Sequence, residues 1–383
     1  MAGKTVLILG GGTGGLVAAN RLRRMLESEH RVLLVDRSPL FSFAPSLTWV
    51  MLGSRTGPRI SRDLRGLEKK GIEFIIGEIQ AIDTANKRVM VKDQRLEYDY
   101  LIISLGAEYS SEEIDGLGRT WTYYHLEGAE GIREHLPTFE GGRLAIVVSA
   151  LPYKCPPAPY EGALLLDDYF RKRRIRDQVE ITLYTPEQLP LQVTGEHIGK
   201  ELVALLTRRG ISFRPKAKLR AVDHGGKTLE FDDGLRQPFD MVIATPVHRI
   251  PEVLVQSGLA AAGEWMKVDR ETLAVAGQED VFAIGDCNAV PMVGGSALPK
   301  AGVFAHGEAE VVCRNIAAEV AGVEAIWAYG GQGACFLETG GGKAAYVNGN
   351  FFAEPHDVTM RRPSRFAHWQ KLGLERLWLW RWF

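Results

Sequence analysis

Lys4–Leu22 reads KTVLILGGGTGGLVAANRL: an apolar run, a glycine turn and an amphipathic helix. The run Thr5–Leu9 shows no polar alternation, the pattern of a strand covered on both faces. Gly10, Gly12 and Gly15 fit G-x-G-x-x-G. In that spacing the glycines permit a tight turn, close backbone approach to a pyrophosphate, and close packing of helix on strand. A second apolar strand, Arg31–Val35, ends in Asp36, 21 residues after Gly15, and Arg37 follows. An acid there hydrogen-bonds the ribose hydroxyls of an adenosine. Glycines alone are a weak signal, but strand, turn, helix, strand and acid in register predict a dinucleotide-binding domain.

The same outline returns in Leu144–Tyr169, LAIVVSALPYKCPPAPYEGALLLDDY, with different chemistry. A strand (Leu144–Val148) leads through a loop to a helix expected over about Gly162–Phe170. No glycine falls between Gly142 and Gly162, and Pro152, Pro156, Pro157 and Pro159 delete backbone donors. Cys155 sits among them, with Glu161 six residues on. The next strand, Val179–Tyr184, ends in Tyr184-Thr185 rather than an acid. Both missing features argue against a nicotinamide dinucleotide here, and the turn reads as a thiol site.

At 383 residues the chain is long enough for two or three domains. A net charge of −1 gives no argument for nucleic acid. The four cysteines, at 155, 287, 313 and 335, show no metal-ligand spacing, so neither a metal site nor a structural disulfide framework is expected. Cys287 and Cys313 lie in apolar surroundings and read as core thiols. No apolar run reaches the length of a membrane span. The N-terminus enters a strand directly, leaving no room for a leader, so the expected location is the cytoplasm or the cytoplasmic side of the cell membrane.

Phe41–Gly53 is aromatic around Pro45, and reads either as a loop near the cofactor or as core. Strand-like segments follow at Glu73–Ile82 and Arg88–Val91, and the buried strand from Tyr98 ends in Ser104-Leu105-Gly106. A helix is expected at His197–Arg209 and a hairpin around Asp232-Asp233-Gly234. Phe239–Thr245 is a further buried strand, read as the return to the first domain. Asp280–Asp286 is a strand ending in Gly285-Asp286. Leu298-Pro299-Lys300-Ala301-Gly302-Val303 then opens a helix whose N-terminus carries partial positive charge. Lys300 would add to that charge, bond a quinone carbonyl, or simply be solvated. Cys335 stands in a glycine-rich loop entering a strand, and the tail His368–Phe383 interleaves tryptophans and leucines with basic residues. Tryptophan favours membrane interfaces and basic residues suit anionic headgroups. Docking of the tail on its own domain or on a partner subunit is the alternative.

Together these motifs resemble the sulfide:quinone oxidoreductase and flavocytochrome c sulfide dehydrogenase family of two-dinucleotide-fold flavoproteins, over nearly the whole chain. The N-terminal glycine motif, the FAPS around Pro45, Gly285-Asp286, Leu-Pro-Lys-Ala-Gly, and the two cysteine elements carry the likeness. The resemblance implies an α/β fold with two Rossmann-like domains of the disulfide reductase type. Its expected divisions are an FAD-binding domain over 1–110 and 241–322, a second Rossmann-like domain without a nucleotide motif over 111–240, and a C-terminal region with an amphipathic tail over 323–383. It implies FAD held by Gly10, Gly12, Gly15, Asp36, Arg37, Pro45, Gly106, Gly285, Asp286, Lys300 and Gly302. It also implies a redox pair of Cys155 and Cys335, 180 positions apart, with Glu161 as proton acceptor; a plain helix N-terminal acid is the other reading of Glu161. His125 and His197 are weaker relay candidates. Residues 118–136 lack the third cysteine of many members and carry Tyr123, Tyr124 and His125 instead, which implies non-covalent FAD.

The implied reaction is oxidation of sulfide to sulfur or polysulfide, with electrons passed to a membrane quinone and a sulfur acceptor releasing the product. The alternatives are a type II NADH:quinone oxidoreductase and a soluble sulfide dehydrogenase subunit serving a cytochrome. Whether the chain forms a homo-oligomer is left open.

Overall fold

A computed structural model describes residues 3–293, 295–354 and 357–383. Two parallel sheets form the framework. The first has the order Val281–Ala283, Tyr100–Ile103, Thr5–Leu9, Arg31–Asp36, Glu73–Ile76, with every pair parallel. Val6, Leu7, Ile8 and Leu9 are fully buried, as a strand covered on both faces requires. Helices Thr13–Met25 and Gly302–Val320 pack against each other beside this sheet. Cys313, inside the second of these helices, and Cys287 are buried core thiols, as expected.

The second parallel sheet has the order Ile211–Arg214, Val179–Tyr184, Gly142–Val147, Met241–Ala244. Its last strand corrects the expected return at residue 241: Leu144–Val147 pairs with Met241–Ala244, so this strand completes the second sheet. The chain rejoins the first sheet at Val281–Ala283, paired with Leu101–Ile103. A buried apolar run looks the same whichever sheet receives it. The segment Glu73–Ile82 is likewise divided. Glu73–Ile76 joins the first sheet, while Ile79–Asp83 turns into an antiparallel meander with Arg88–Val91 and Gln94–Glu97. The expected hairpin forms between Thr228–Phe231 and Arg236–Pro238.

The C-terminal part is an antiparallel meander, Gln332–Gly340, Lys343–Asn350 and Asp357–Ser364, followed by the helix Arg365–Arg381. Trp378 stacks on Phe41 with ring centroids 5.0 Å apart and meets Phe43 at 5.3 Å, so the Phe41–Gly53 stretch is the seat of the tail. Trp382 is 1% exposed. The tail does not divide into one apolar and one polar face. Lys371 and Glu375 turn inward, while Phe366, Trp369, Leu374, Leu377 and Trp380 face out. Charged residues can occupy the inner face because each has a buried partner there: Glu375 accepts from Arg55 at 2.9 Å and from Ser46 at 2.5 Å.

Candidate active site

The glycine turn between Thr5–Leu9 and Thr13–Met25 is shaped by close approach. A Cβ on Gly10 (φ +98°) would lie 2.3 Å from the Ser104 carbonyl oxygen, and one on Gly15 would lie 1.8 Å from that of Gly10. At Gly12 a Cβ would meet nothing within 4 Å. Gly12 caps the helix without a side-chain bond, so no capping side chain takes up the first-turn amides, which an anion site needs free. Asp36 is held at the adjoining strand end, accepting from Gly11 N at 2.6 Å and Ser38 N at 2.8 Å. Gly106 (φ +70°) follows the next strand. Arg37 is at the surface, 3.8 Å from Glu78, and Pro45 is exposed on the turn Ala44–Ser46.

Across the cleft, Gly285 (φ +76°) donates to Glu308 Oε2 at 2.6 Å. Burial raises Glu308 to about 7. Lys300 is not solvated. Its Nζ donates to the carbonyls of Asp286 (2.7 Å) and Asn288 (3.0 Å) and lies 3.5 Å from the centre of the Trp265 ring. Burial lowers it to about 8. Its three ammonium protons are largely committed to bracing the Gly285-Asp286 loop. Gly302 opens its helix against Thr13, where a Cβ would come within 3.3 Å of Thr13 Oγ1. Two helix N-termini therefore meet, at the C-terminal ends of the parallel strands, where α/β sheets bind ligands.

The thiol loop begins with Ser149, whose Oγ donates to the Thr245 carbonyl at 2.5 Å. Cys155 adopts φ +54°, unusual for a residue with a Cβ and common at functional sites. Its N–H donates to the Lys300 carbonyl at 2.6 Å, joining the two loops. The helix starts at Ala158, four residues before the expected Gly162. Proline is tolerated in a first turn because its missing N–H would find no intrahelical partner there. Gly162 serves packing: a Cβ there would lie 2.3 Å from Tyr123 Oη.

Glu161, in the first helical turn, is 5% exposed. Three donors surround it. Thr48 Oγ1 (2.7 Å) and Lys371 Nζ (2.8 Å) donate to Oε1, and the backbone N–H of Glu338 (3.1 Å) donates to Oε2. Glu338 lies three residues beyond Cys335 on Gln332–Gly340, so the carboxylate clamps the strand bearing Cys335. The Glu338 carboxylate, raised by burial, meets His368 Nδ1 at 2.9 Å.

Cys155 and Cys335 are both free thiols. Cys155 opens to solvent on one side, yet protein packed close around it pushes its thiol up to about 12, with the charges of Glu161 and Cys335 adding to the shift. Cys335 is half-buried and also rises to about 12, from burial first and Glu161 second. Lys371 opposes the shift in both. The two thiols, the carboxylate and the ammonium thus lie within range of one another's charge. His125 and His197 lie outside this group. His125 Nδ1 caps a helix by accepting from Gly128 N at 3.0 Å, and His197 is a surface residue beside Glu201.

The second sheet holds an acid that the strand-end rule overlooked. Glu187 follows the strand end by three residues and is buried. Its Oε2 accepts from Tyr160 Oη (2.5 Å), Tyr153 Oη (3.1 Å) and Thr185 Oγ1 (3.1 Å). Both tyrosines come from the thiol loop and its helix, so their hydroxyls tie this carboxylate to the thiol element. Lys371, Thr48, Glu338 and His368 also escaped the sequence reading. The signal for Lys371 is its helical spacing with Ala367, Trp378 and Trp382, which puts it on the buried face.

Fold and cleft define a two-sheet, dinucleotide-binding oxidoreductase with a thiol loop in its second half. The family described as pyridine nucleotide-disulphide oxidoreductase matches residues 4–150 and 160–308, and the chain belongs to it. The break in that match, 151–159, falls on the thiol loop around Cys155 and the start of its helix. The mouse mitochondrial sulfide:quinone oxidoreductase is 26% identical over 363 residues, covering 91% of this chain and 79% of its own length. The structure of the sulfide:quinone oxidoreductase of Aquifex aeolicus superposes with a TM-score of 0.90 at 24% identity, covering 99% of this chain and 91% of that one. The type II NADH:quinone oxidoreductase of Staphylococcus aureus is 22% identical over 331 residues, 82% of each chain. FAD is the cofactor of this chain, and the bare Gly12, the uncapped helix and the Gly285-Asp286 loop fit it.

Proposed function

We propose that the chain oxidises sulfide through Cys155 and Cys335 and delivers the electrons to a membrane quinone. The observation that carries this reading is the gathering of two thiols, Glu161 and Lys371 at the turn where a second nucleotide would otherwise bind, with the nearby acid Glu187 bonded to Tyr153 and Tyr160. The names of the mouse and Aquifex relatives support the substrate pair.

In the oxidised protein Cys155 and Cys335 form a disulfide, an electrophile for the soft nucleophile HS⁻. Attack forms one S–S bond and breaks another, leaving a persulfide on one cysteine and a thiolate on the other. A second sulfur nucleophile takes the outer sulfur and leaves both cysteines reduced. Burial disfavours the thiolates, so each needs a proton or a nearby cation. Glu161 moves the proton at Oε2 or Oε1, and Lys371 holds the carboxylate in place and offsets negative charge. FAD supplies the two-electron acceptor that restores the disulfide and the return path to quinone. Gly10, Gly12, Gly15, Asp36, Gly106, Gly285, Asp286 and Gly302 hold it non-covalently, and Lys300 braces the Gly285-Asp286 loop.

Among the described residues no helix is long and apolar enough to cross a membrane. The outer face of Arg365–Arg381, with Trp380 76% exposed, supports peripheral attachment to the membrane that holds the quinone; the cytoplasmic side is the proposed one. This face favours a quinone over a soluble cytochrome as acceptor.

Anaerobic titration of the purified protein with sulfide and, separately, NADH, followed by a short-chain quinone, tests the proposal. Sulfide bleaches the FAD absorbance and quinone restores it. Rapid bleaching by NADH would replace this reading with the type II NADH:quinone one.

A further inference from the structure

We propose that the tail helix and the first domain together form a cage for the phosphate of a net-anionic phospholipid. The inference rests on the reading of the outer tail face as membrane-facing and gives that face a headgroup preference. A surface cavity of about 500 Å³ is lined by Arg24, Lys70, Leu377, Trp380, Arg381 and Phe383. Its charged lining side chains are all cations. Arg24 Nη2 and Lys70 Nζ both approach the same carbonyl oxygen, that of Arg381, at 3.5 Å. Neither of them, nor the Arg381 side chain, forms an ion pair with a carboxylate among the described residues. The neighbouring Arg21, by contrast, pairs with Glu310. Lys70 is held in place by Asn20 Oδ1 at 3.1 Å, and Asn20 also donates to the Trp382 carbonyl at 3.1 Å, so the cage floor is part of the tail's anchorage.

Converging cations without a counterion repel one another, and an entering phosphodiester relieves that repulsion while accepting several charge-assisted bonds. The remaining wall identifies the source of the phosphate. Leu377 and Trp380 continue the exposed row of Phe366 and Trp369 on one side of the helix. A molecule with its phosphate in the cage and its apolar chains along that row is a lipid. The three cations disfavour the choline of a zwitterionic headgroup and favour phosphatidylglycerol or another headgroup without a cation.

The test is vesicle flotation of the intact flavoprotein at fixed ionic strength, comparing phosphatidylcholine vesicles with vesicles containing phosphatidylglycerol. The variants are Arg24→Gln/Lys70→Gln and, as a charge-matched control, Arg361→Gln/Arg362→Gln, both exposed. Wild type and control bind the anionic vesicles more tightly. The cage variant loses roughly thirty-fold on those vesicles, at about fivefold per basic residue near an anionic surface, and keeps its binding to phosphatidylcholine. FAD absorbance and sulfide bleaching report that it is folded. A cage variant that keeps the preference, a control that loses it equally, or a wild type without preference overturns the cage while leaving the tail as a membrane face. A wild type that floats with neither vesicle removes the membrane reading itself, and the cage with it.

Discussion

The two strand–loop–helix turns at the ends of the two parallel sheets share a topology and oppose each other in chemistry. In the first, Gly10, Gly12 and Gly15 let backbone meet backbone and leave helix-end amides bare. In the second, prolines remove amides, the Cys155 N–H is committed to the Lys300 carbonyl, and the helix starts early enough to bring Glu161 into its first turn. One loop is built to receive an anion and the other to present a thiol. A buried carboxyl group serves each sheet: Glu308 bonds Gly285, in the loop across the cleft from the glycine turn, and Glu161 ties the second turn's helix to Cys335's strand. The scaffold fixes where a loop stands, and the loop's few residues choose the chemistry.

The comparison breaks most readily at the thiols. Cys155→Ser or Cys335→Ser should lower sulfide-driven FAD reduction by about a thousand-fold or more, as loss of a nucleophile does, with FAD content unchanged. Stopped-flow absorbance checks this, and undiminished reduction in either variant would end the mechanism. Next comes the acid behind the second loop. Glu161→Gln should slow the same step by about a hundred-fold or more through loss of proton transfer. It also leaves Lys371 buried without its counter-charge, at a cost of about 3–5 kcal/mol. The double variant Glu161→Gln/Lys371→Met should regain most of the melting temperature but not the rate, which separates proton chemistry from ion-pair stability. On the glycine side, Gly15→Ala sets a methyl group against the Gly10 carbonyl and should cost about 3 kcal/mol or more, with loss of FAD. Thermal melting and flavin content measure both effects, and a wild-type FAD content would show that helix–strand closeness is dispensable.

Much of this contrast is legible in sequence because it rests on local backbone needs. Glycine spacing, strand-end acids and proline placement are short-range signals, and they marked both turns. Less was visible where the partner is distant. Met241–Ala244 had the right burial but the wrong sheet, since strand choice depends on residues about a hundred positions away. Lys371 looked like one basic residue among several in the tail. Its role follows from the packing of the tail helix onto the Phe41 and Phe43 seat, which carries the ammonium to Glu161, 210 residues earlier. Glu187 was overlooked because it stands past the strand end, and only the fold brings Tyr153 and Tyr160 onto its Oε2.

The smallest expected effect sharpens the comparison from the acid behind the first sheet. Burial lifts Glu308 from 4.5 to about 7, so between those values the folded protein holds a proton that the unfolded chain has released. Stability therefore falls as pH rises through this window, by at most about 3 kcal/mol from this group. Glu308→Gln removes the titration while keeping an oxygen to accept from the Gly285 N–H. Melting temperatures from pH 5 to 8 should show wild type losing ground to the variant as pH rises, with FAD retained in both. Parallel curves would mean that Glu308 is already ionised at the lower end, held by Gly285, Asn288 and the Lys300 charge. In that case the acid beside the cofactor loop would match Glu161 in being a carboxylate bound by several donors, and the two sheets would differ in their loops alone.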